Sequence, residues 1–221
     1  MKGKLNYSVI MAVKNGMNYM IESIESIYSQ TLRPSEIILI DDHSTDLTRE
    51  TIFRDYPDIL LIDSVRHGQL EAMNLGIKRA CSEVVAFLDH DDLWASNKQE
   101  IQLEILGANR ELDAVTSGVV NFSEQGESRD LGPARVFGAT SFRRNVFSKF
   151  GYLDPSISHH GVIEWWVRAE SKGINHSTHP GTGLLRRVHT HNSGIVNRLE
   201  SRNDLFSILR EQTSISDQNE V

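Results

Sequence analysis

An alternation constrains this chain more than anything else in its sequence. Four short apolar runs, at residues 7–13, 36–40, 59–62 and 84–88, recur at about 25-residue spacing, and each is followed by a stretch with helical periodicity. Met20, Ile24, Ile27 and Tyr28 share one helical face, and Asn18 stands where it can cap that helix. Leu70, Met73, Ile77 and Ala80 mark another helix over 68–80, and further helices are expected after Asp46, to about Arg54, and over 97–106. A strand that returns after a helix runs parallel to the one before it, and its helices cover the sheet's faces. The expected fold is therefore α/β: a mostly parallel, Rossmann-like sheet with helices on both faces.

Beyond residue 110 the rhythm changes. Residues 114–122 read as a strand, 123–133 as a loop or hairpin, 142–150 as a short helix, 164–172 as a helix stopped by Gly173, and 184–188 as a last strand. An amphipathic tail over 204–212 carries Leu205, Ile208 and Leu209 on one side. The expected organisation is a single domain over 1–221. In it, about 1–110 is a ligand-binding half, about 111–200 a catalytic half, and 201–221 a helical tail.

A net charge of −7 argues against a nucleic-acid surface. The single cysteine, Cys81, allows no intrachain disulfide and reads as buried filler near a helix end. The apolar run Val9–Val13 is too short for a signal-peptide core, and no stretch nears the roughly 20 apolar residues that span a bilayer. A cytoplasmic protein is expected. The tail leaves open a peripheral contact at the inner membrane face, and a homodimer is open as well.

In open α/β sheets ligands bind outside the carboxyl ends of the strands. Two acidic clusters stand at such ends: Asp41-Asp42 after the second run, and Asp89-His90-Asp91-Asp92 after the fourth. Grouped carboxylates are costly unless solvated, paired or holding a cation, and carboxylate oxygens suit Mg²⁺ or Mn²⁺. The second cluster thus points to phosphate–metal chemistry, and the first to hydrogen bonds with a base or ribose. Turn and helix-cap roles compete with these readings, and they are the better account of Asp46 and Asp92.

Four blocks in order over residues 7–94 carry a resemblance. Residues 8–15 (SVIMAVKN) resemble the V-S-V-I-x-P-x-Y-N opening of family 2 glycosyltransferases. Residues 36–46 (EIILIDDHSTD) resemble their E-I-I-V-V-D-D-x-S-x-D segment. Residues 72–76 (AMNLG) and 85–92 (VAFLDHDD) resemble A-x-N-x-G followed by a strand and D-x-D-D. The resemblance implies the A-type glycosyltransferase fold and an inverting, metal-dependent sugar transfer from a nucleoside diphosphate sugar to an acceptor hydroxyl. A UDP-sugar is the first choice of donor, with dTDP or GDP as alternatives. The acceptor would be a saccharide, a lipid-linked sugar or another hydroxyl, as in bacterial polysaccharide or glycoconjugate synthesis.

It also implies residue roles. Asp42 reads the base beside Asp41; Asp89 and Asp91 meet metal, diphosphate and ribose, with Asp91 the direct ligand. Ala12, Lys14, Asn15, His67, Asn74 and His90 fall within or beside the donor motifs. Ala12 and Lys14 depart from the family's proline and aromatic residue, and lysine cannot stack on a base as tyrosine does. Residues 184–192 (LLRRVHTHN) resemble a late R-x-H-x-x-N segment. That segment makes Arg187 and His189 candidates for the diphosphate, and His189 a further metal ligand; Arg186 is an alternative to Arg187. The family's Glu-Asp pair is absent. Glu164 is the expected base, with an ion pair to Arg168 at i+4 as the competing role. Trp165 or Trp166 would wall the acceptor. Two other readings remain: a degenerate protein that binds nucleotide-sugar without turnover, and a sugar-phosphate nucleotidyltransferase. The second is disfavoured by the single glycine of residues 14–18.

Overall fold

A computed structural model describes residues 5–157 and 160–190. The amphipathic tail, His159, His191 and Asn192 lie outside the described residues. The first half follows the alternation: β1 (Tyr7–Val13), α1 (Met20–Tyr28), β2 (Glu36–Asp41), α2 (Thr48–Asp55), β3 (Leu60–Asp63), α3 (Gln69–Arg79) and β4 (Val84–Phe87). Then come β5 (Leu93–Trp94), α4 (Lys98–Ala108), β6 (Ala114–Phe122), β7 (Ser128–Pro133), β8 (Thr140–Arg143), α5 (Val146–Phe150), α6 (Gly161–Ser171) and β9 (His176–Arg187).

One sheet runs β3-β2-β1-β4-β8-β6-β9-β5, with β7 attached to β6. The pairs β3–β2, β2–β1 and β1–β4 are parallel. β8 is antiparallel to both β4 and β6, and joins the two halves into one sheet. The side chains of β1 alternate between two cores, as a pleated strand requires. Val9, Met11 and Val13 pack with Ile24 and Ile27 of α1 and Leu103 and Leu106 of α4. Ile10 and Ala12 face the other way, toward Leu70, Met73 and Ile77 of α3 and Trp165 and Trp166 of α6.

Several expectations need correction. Asn18 does not cap α1: Tyr19 holds that position and makes no side-chain cap bond. The stretch 142–150 is not one helix, because Phe142 and Arg143 belong to β8. β8 carries too little apolar pattern to be seen; its Thr140 and Ser141 are buried on hydrogen bonds to Thr116, Gln99 and Gln102. The last strand begins at His176 rather than Leu184, through a Pro180-Gly181 stretch that reads as a turn. Its bulged pairing with β6 tolerates those residues. Cys81 is exposed, just past the end of α3.

α3 lies unusually close to β1. A Cβ at Gly76 would collide with Ile10 Cγ2. Two residues earlier, buried Asn74 bonds both backbone polar groups of Leu153, at 2.9 and 3.1 Å. The Ala-x-Asn-x-Gly block therefore fixes how α3 seats on the sheet. Gly76→Ala is expected to destabilise the protein by about 1–3 kcal/mol through overpacking, read as a lower urea midpoint with an unchanged slope.

Candidate active site

The carboxyl ends of β1, β2 and β4 open on one cavity of about 530 Å³. From β1 come Ala12, Lys14 and Asn15, and from β2 comes Asp42. The turn after β4 supplies Asp89, His90, Asp91 and Asp92, while Arg186 and His189 arrive from the end of β9. The chain bends sharply at both first turns. Asn15 takes φ +53° and His43 φ +61°, where short polar or imidazole side chains are enriched among non-glycine residues. Asn15 Oδ1 accepts from the Thr45 amide at 2.8 Å, which ties the β1 turn to the β2 turn.

Asp42 faces the cavity, and both its oxygens accept from the Gly68 amide, at 3.0 and 3.1 Å. Asp41 does not. It is buried, accepts from the Ser44 amide and pairs with Arg49 at 3.5 Å, so it shapes the turn rather than offering itself to a ligand. Asp46 accepts from the Thr48 amide and hydroxyl, the turn role expected of it.

The β4 turn crowds three carboxylates. Asp89 accepts from Gln69 Nε2 at 3.0 Å. Its side chain retains some contact with water, but protein surrounds it deep in the cavity. Burial first, then the Asp91 charge, pushes its pKa up to about 6. Burial raises Asp92 as well, with Asp89 and Asp91 adding to the effect. Asp92 accepts from the Arg187 amide at 2.8 Å and so holds the end of β9 against this turn. Asp91 Oδ2 lies 3.0 Å from His189 Nε2, and the His189 ring packs on Tyr19 at 4.9 Å between centroids.

Among the described residues, Asp89, Asp91 and His189 do not gather three ligand atoms within 4.8 Å. The arrangement still fits a hard cation. Mg²⁺ in particular is commonly held by one or two carboxylates, with substrate phosphate oxygens and water completing its shell.

Other expected site residues are placed elsewhere. Arg187 is buried, with its guanidinium between the Tyr19 and Phe122 rings, bonded to Glu22 at 2.7 Å and to the Asp91 carbonyl at 3.0 Å. Adjacent strand residues point to opposite faces, so Arg186 is the arginine that reaches the cavity. Asn74 is the buried staple described above. Trp165 and Trp166 are 0% and 1% exposed in an aromatic core, and Trp165 Nε1 donates to the Gly151 carbonyl. Neither can wall an acceptor. Glu164 takes Arg168 through both oxygens, at 2.6 and 3.0 Å, while the same guanidinium donates to the Phe150 and Tyr152 carbonyls. It does not line the cavity, and this geometry matches the ion-pair role. His67 also stands outside the lining, exposed beside His43. Gln69 and Tyr19 were missed. Gln69 begins α3 and Tyr19 precedes α1, positions whose reach into the cavity depends on how the helices dock.

Residues 8–168 match the model of glycosyl transferase family 2, and the chain belongs to that family. An uncharacterized glycosyltransferase of Rickettsia prowazekii is 39% identical over 229 residues, covering 90% of this chain and 70% of its own length. The Escherichia coli UDP-Glc:alpha-D-GlcNAc-diphosphoundecaprenol beta-1,3-glucosyltransferase WfgD is 36% identical over 104 residues, 46% of this chain and 41% of that protein. The chain spans about a fifth of two other relatives, 19% of one from Rickettsia felis and 20% of one from Rickettsia bellii. Among solved structures, S. aureus TarS in complex with UDP superposes with a TM-score of 0.72 at 15% identity, covering 93% of this chain and 64% of that one. GalNAc-T7 with UDP, GalNAc and Mn²⁺ gives 0.69 at 17% identity, covering 86% and 45%. These likenesses establish the A-type glycosyltransferase fold.

The raised Asp89 has a signed consequence. Between the ordinary value of 3.8 and about 6, the folded protein holds a proton that the unfolded chain has lost. Stability therefore falls as pH rises through that window. Unfolding midpoints measured across it are expected to fall less steeply in Asp89→Asn than in the wild type. Equal slopes would contradict the assignment.

Proposed function

We propose that this chain transfers a sugar from a nucleoside diphosphate sugar to an acceptor hydroxyl. The observation that carries the reading is the convergence of Asp42, the Asp89–Asp92 turn, Arg186 and His189 on one cavity at the carboxyl ends of parallel strands. Asp42, held by the Gly68 amide, accepts hydrogen bonds from the nucleobase. Asp91 and His189 would hold Mn²⁺ or Mg²⁺, and Asp89 would contribute to the same donor site. A cation held there would supply positive charge to offset the diphosphate leaving group. Arg186 adds a positive charge to the same side of the cavity. Lys14, in place of an aromatic residue, offers a cation near the base and phosphates. UDP is the first donor base to test, followed by dTDP and GDP. The WfgD name motivates lipid-linked sugars as the first acceptors to test, with plain saccharides next.

A second reading, a protein that binds nucleotide-sugar without turnover, is favoured by one observation. Glu164 is chelated by Arg168 and stands apart from the cavity, and the family's Glu-Asp pair is absent. Where the sugar is transferred, another group must take the acceptor proton.

Thermal unfolding with a panel of nucleoside diphosphates, with Mn²⁺ or with chelator, tests the donor site. One base is expected to stabilise the protein in a metal-dependent way, by about 2.7 kcal/mol at a hundred times its dissociation constant. Asp91→Asn should lose that shift. No stabilisation by any nucleotide would refute the reading. Metal-dependent binding without transfer or donor hydrolysis would favour the second one.

A further inference from the structure

At the edge of the cavity, beside the lining residue Asp42, stand two histidines that lie outside the lining and that the proposed transfer does not use. The turn after β2 carries His43 in a left-handed conformation, and the loop before α3 carries His67. Their rings pack 3.8 Å apart between centroids, tilted by 33°. The Nδ1 atoms of both approach the same atom, Asp42 Oδ1, at 3.3 Å for His43 and 3.9 Å for His67. One ligand atom from each of the three residues falls within 4.8 Å of the others.

We propose that Asp42, His43 and His67 form a binding site for a borderline transition-metal ion of the Zn²⁺ class, distinct from the cation site at Asp91 and His189. Two ligands about 2.05 Å from a tetrahedral metal lie about 3.4 Å apart, between the two observed histidine–Asp42 distances, and the packed rings would splay apart for both imidazoles to reach one ion. The ligand types separate the two sites. Two imidazoles and one carboxylate favour Zn²⁺ or Co²⁺, whereas the β4 turn, with a single imidazole from His189 and mostly carboxylate oxygens, suits Mg²⁺ or Mn²⁺. Asp42 is already oriented. The Gly68 amide donates to both its oxygens, the kind of outer hydrogen bond that fixes a ligating carboxylate. The histidines are accessible, 41% and 72% exposed at the side chain, so an ion can enter and water can complete its shell.

The site has a regulatory consequence that rests on the proposed nucleotide role of Asp42. An ion held there occupies the carboxylate that would otherwise accept from the base. Zn²⁺ and nucleotide therefore compete, although they differ in chemistry.

Titration of the full chain with Co²⁺ alone, followed by visible absorption, tests the site without nucleotide. The wild type is expected to develop ligand-field bands that saturate at one equivalent. His43→Gln and His67→Gln, both at accessible positions, should weaken binding by roughly tenfold or more. Asp89→Asn should keep the bands. Absence of bands in the wild type, or unchanged binding in both histidine variants with native circular dichroism, would overturn the site. Competition is read separately, as the UDP dissociation constant in Mn²⁺ with and without added Zn²⁺. Zn²⁺ should weaken UDP binding to the wild type and leave His67→Gln nearly unaffected; equal weakening in both would overturn the regulatory role. Failure of every nucleoside diphosphate of the panel to bind would instead refute the proposed donor site and leave the Co²⁺ result standing.

Discussion

The cavity depends on the clamp between the turn after β4 and the end of β9. Asp92 receives the Arg187 amide, the Asp91 carbonyl receives its guanidinium, and that guanidinium is sandwiched between Tyr19 and Phe122 while paired with Glu22. A buried arginine is tolerable when its hydrogen bonds and countercharge are supplied together. Here they come from α1 and the β4 turn, and the Phe122 ring of β6 packs on the guanidinium, so one side chain bridges three elements. With Arg187 fixed, strand alternation delivers Arg186 to the cavity, and His189 comes within 3.0 Å of Asp91.

The same clamp explains the electrostatics. It draws Asp89, Asp91 and Asp92 into a small volume, where desolvation and mutual repulsion push Asp89 and Asp92 toward their protonated forms. Nearby positive groups of the protein offset this only in part. A site built this way gains from a cation and an anionic ligand arriving together. Under the proposed function, a cation would relieve the carboxylates and phosphate oxygens would complete its shell.

The parallel half of the fold was legible because apolar run, turn and helix period agree there at every step. The antiparallel half was not. β8 is held by buried hydroxyl and amide bonds rather than an apolar pattern, β5 is two residues long, and β9 passes through Pro180 and Gly181. In the site, the acidic turns after β2 and β4 could be read directly, since chain position alone puts them at the strand ends. Which member of a pair faces the ligand could not. For the acidic pair the family resemblance already favoured Asp42 over Asp41, but Arg186 against Arg187 is decided by strand alternation. Asn74, Trp165 and Glu164 carry the right chemistry for binding or catalysis, yet each is satisfied internally, by Leu153, by Gly151 and by Arg168. Leu153 and Gly151 lie in the stretch between α5 and α6, whereas Arg168 lies on α6 itself, where sequence spacing raised the ion pair without deciding it.

The central claim is that the protein supplies an incomplete cation site that a nucleoside diphosphate completes. Electron paramagnetic resonance of free Mn²⁺ tests it directly, because the aqueous signal falls as the ion is bound. The account predicts weak uptake by the protein alone, strong uptake once UDP is added beyond what UDP takes up by itself, and loss of that excess in Asp91→Asn. Uptake that is equally strong without UDP, or that survives intact in Asp91→Asn, would contradict it.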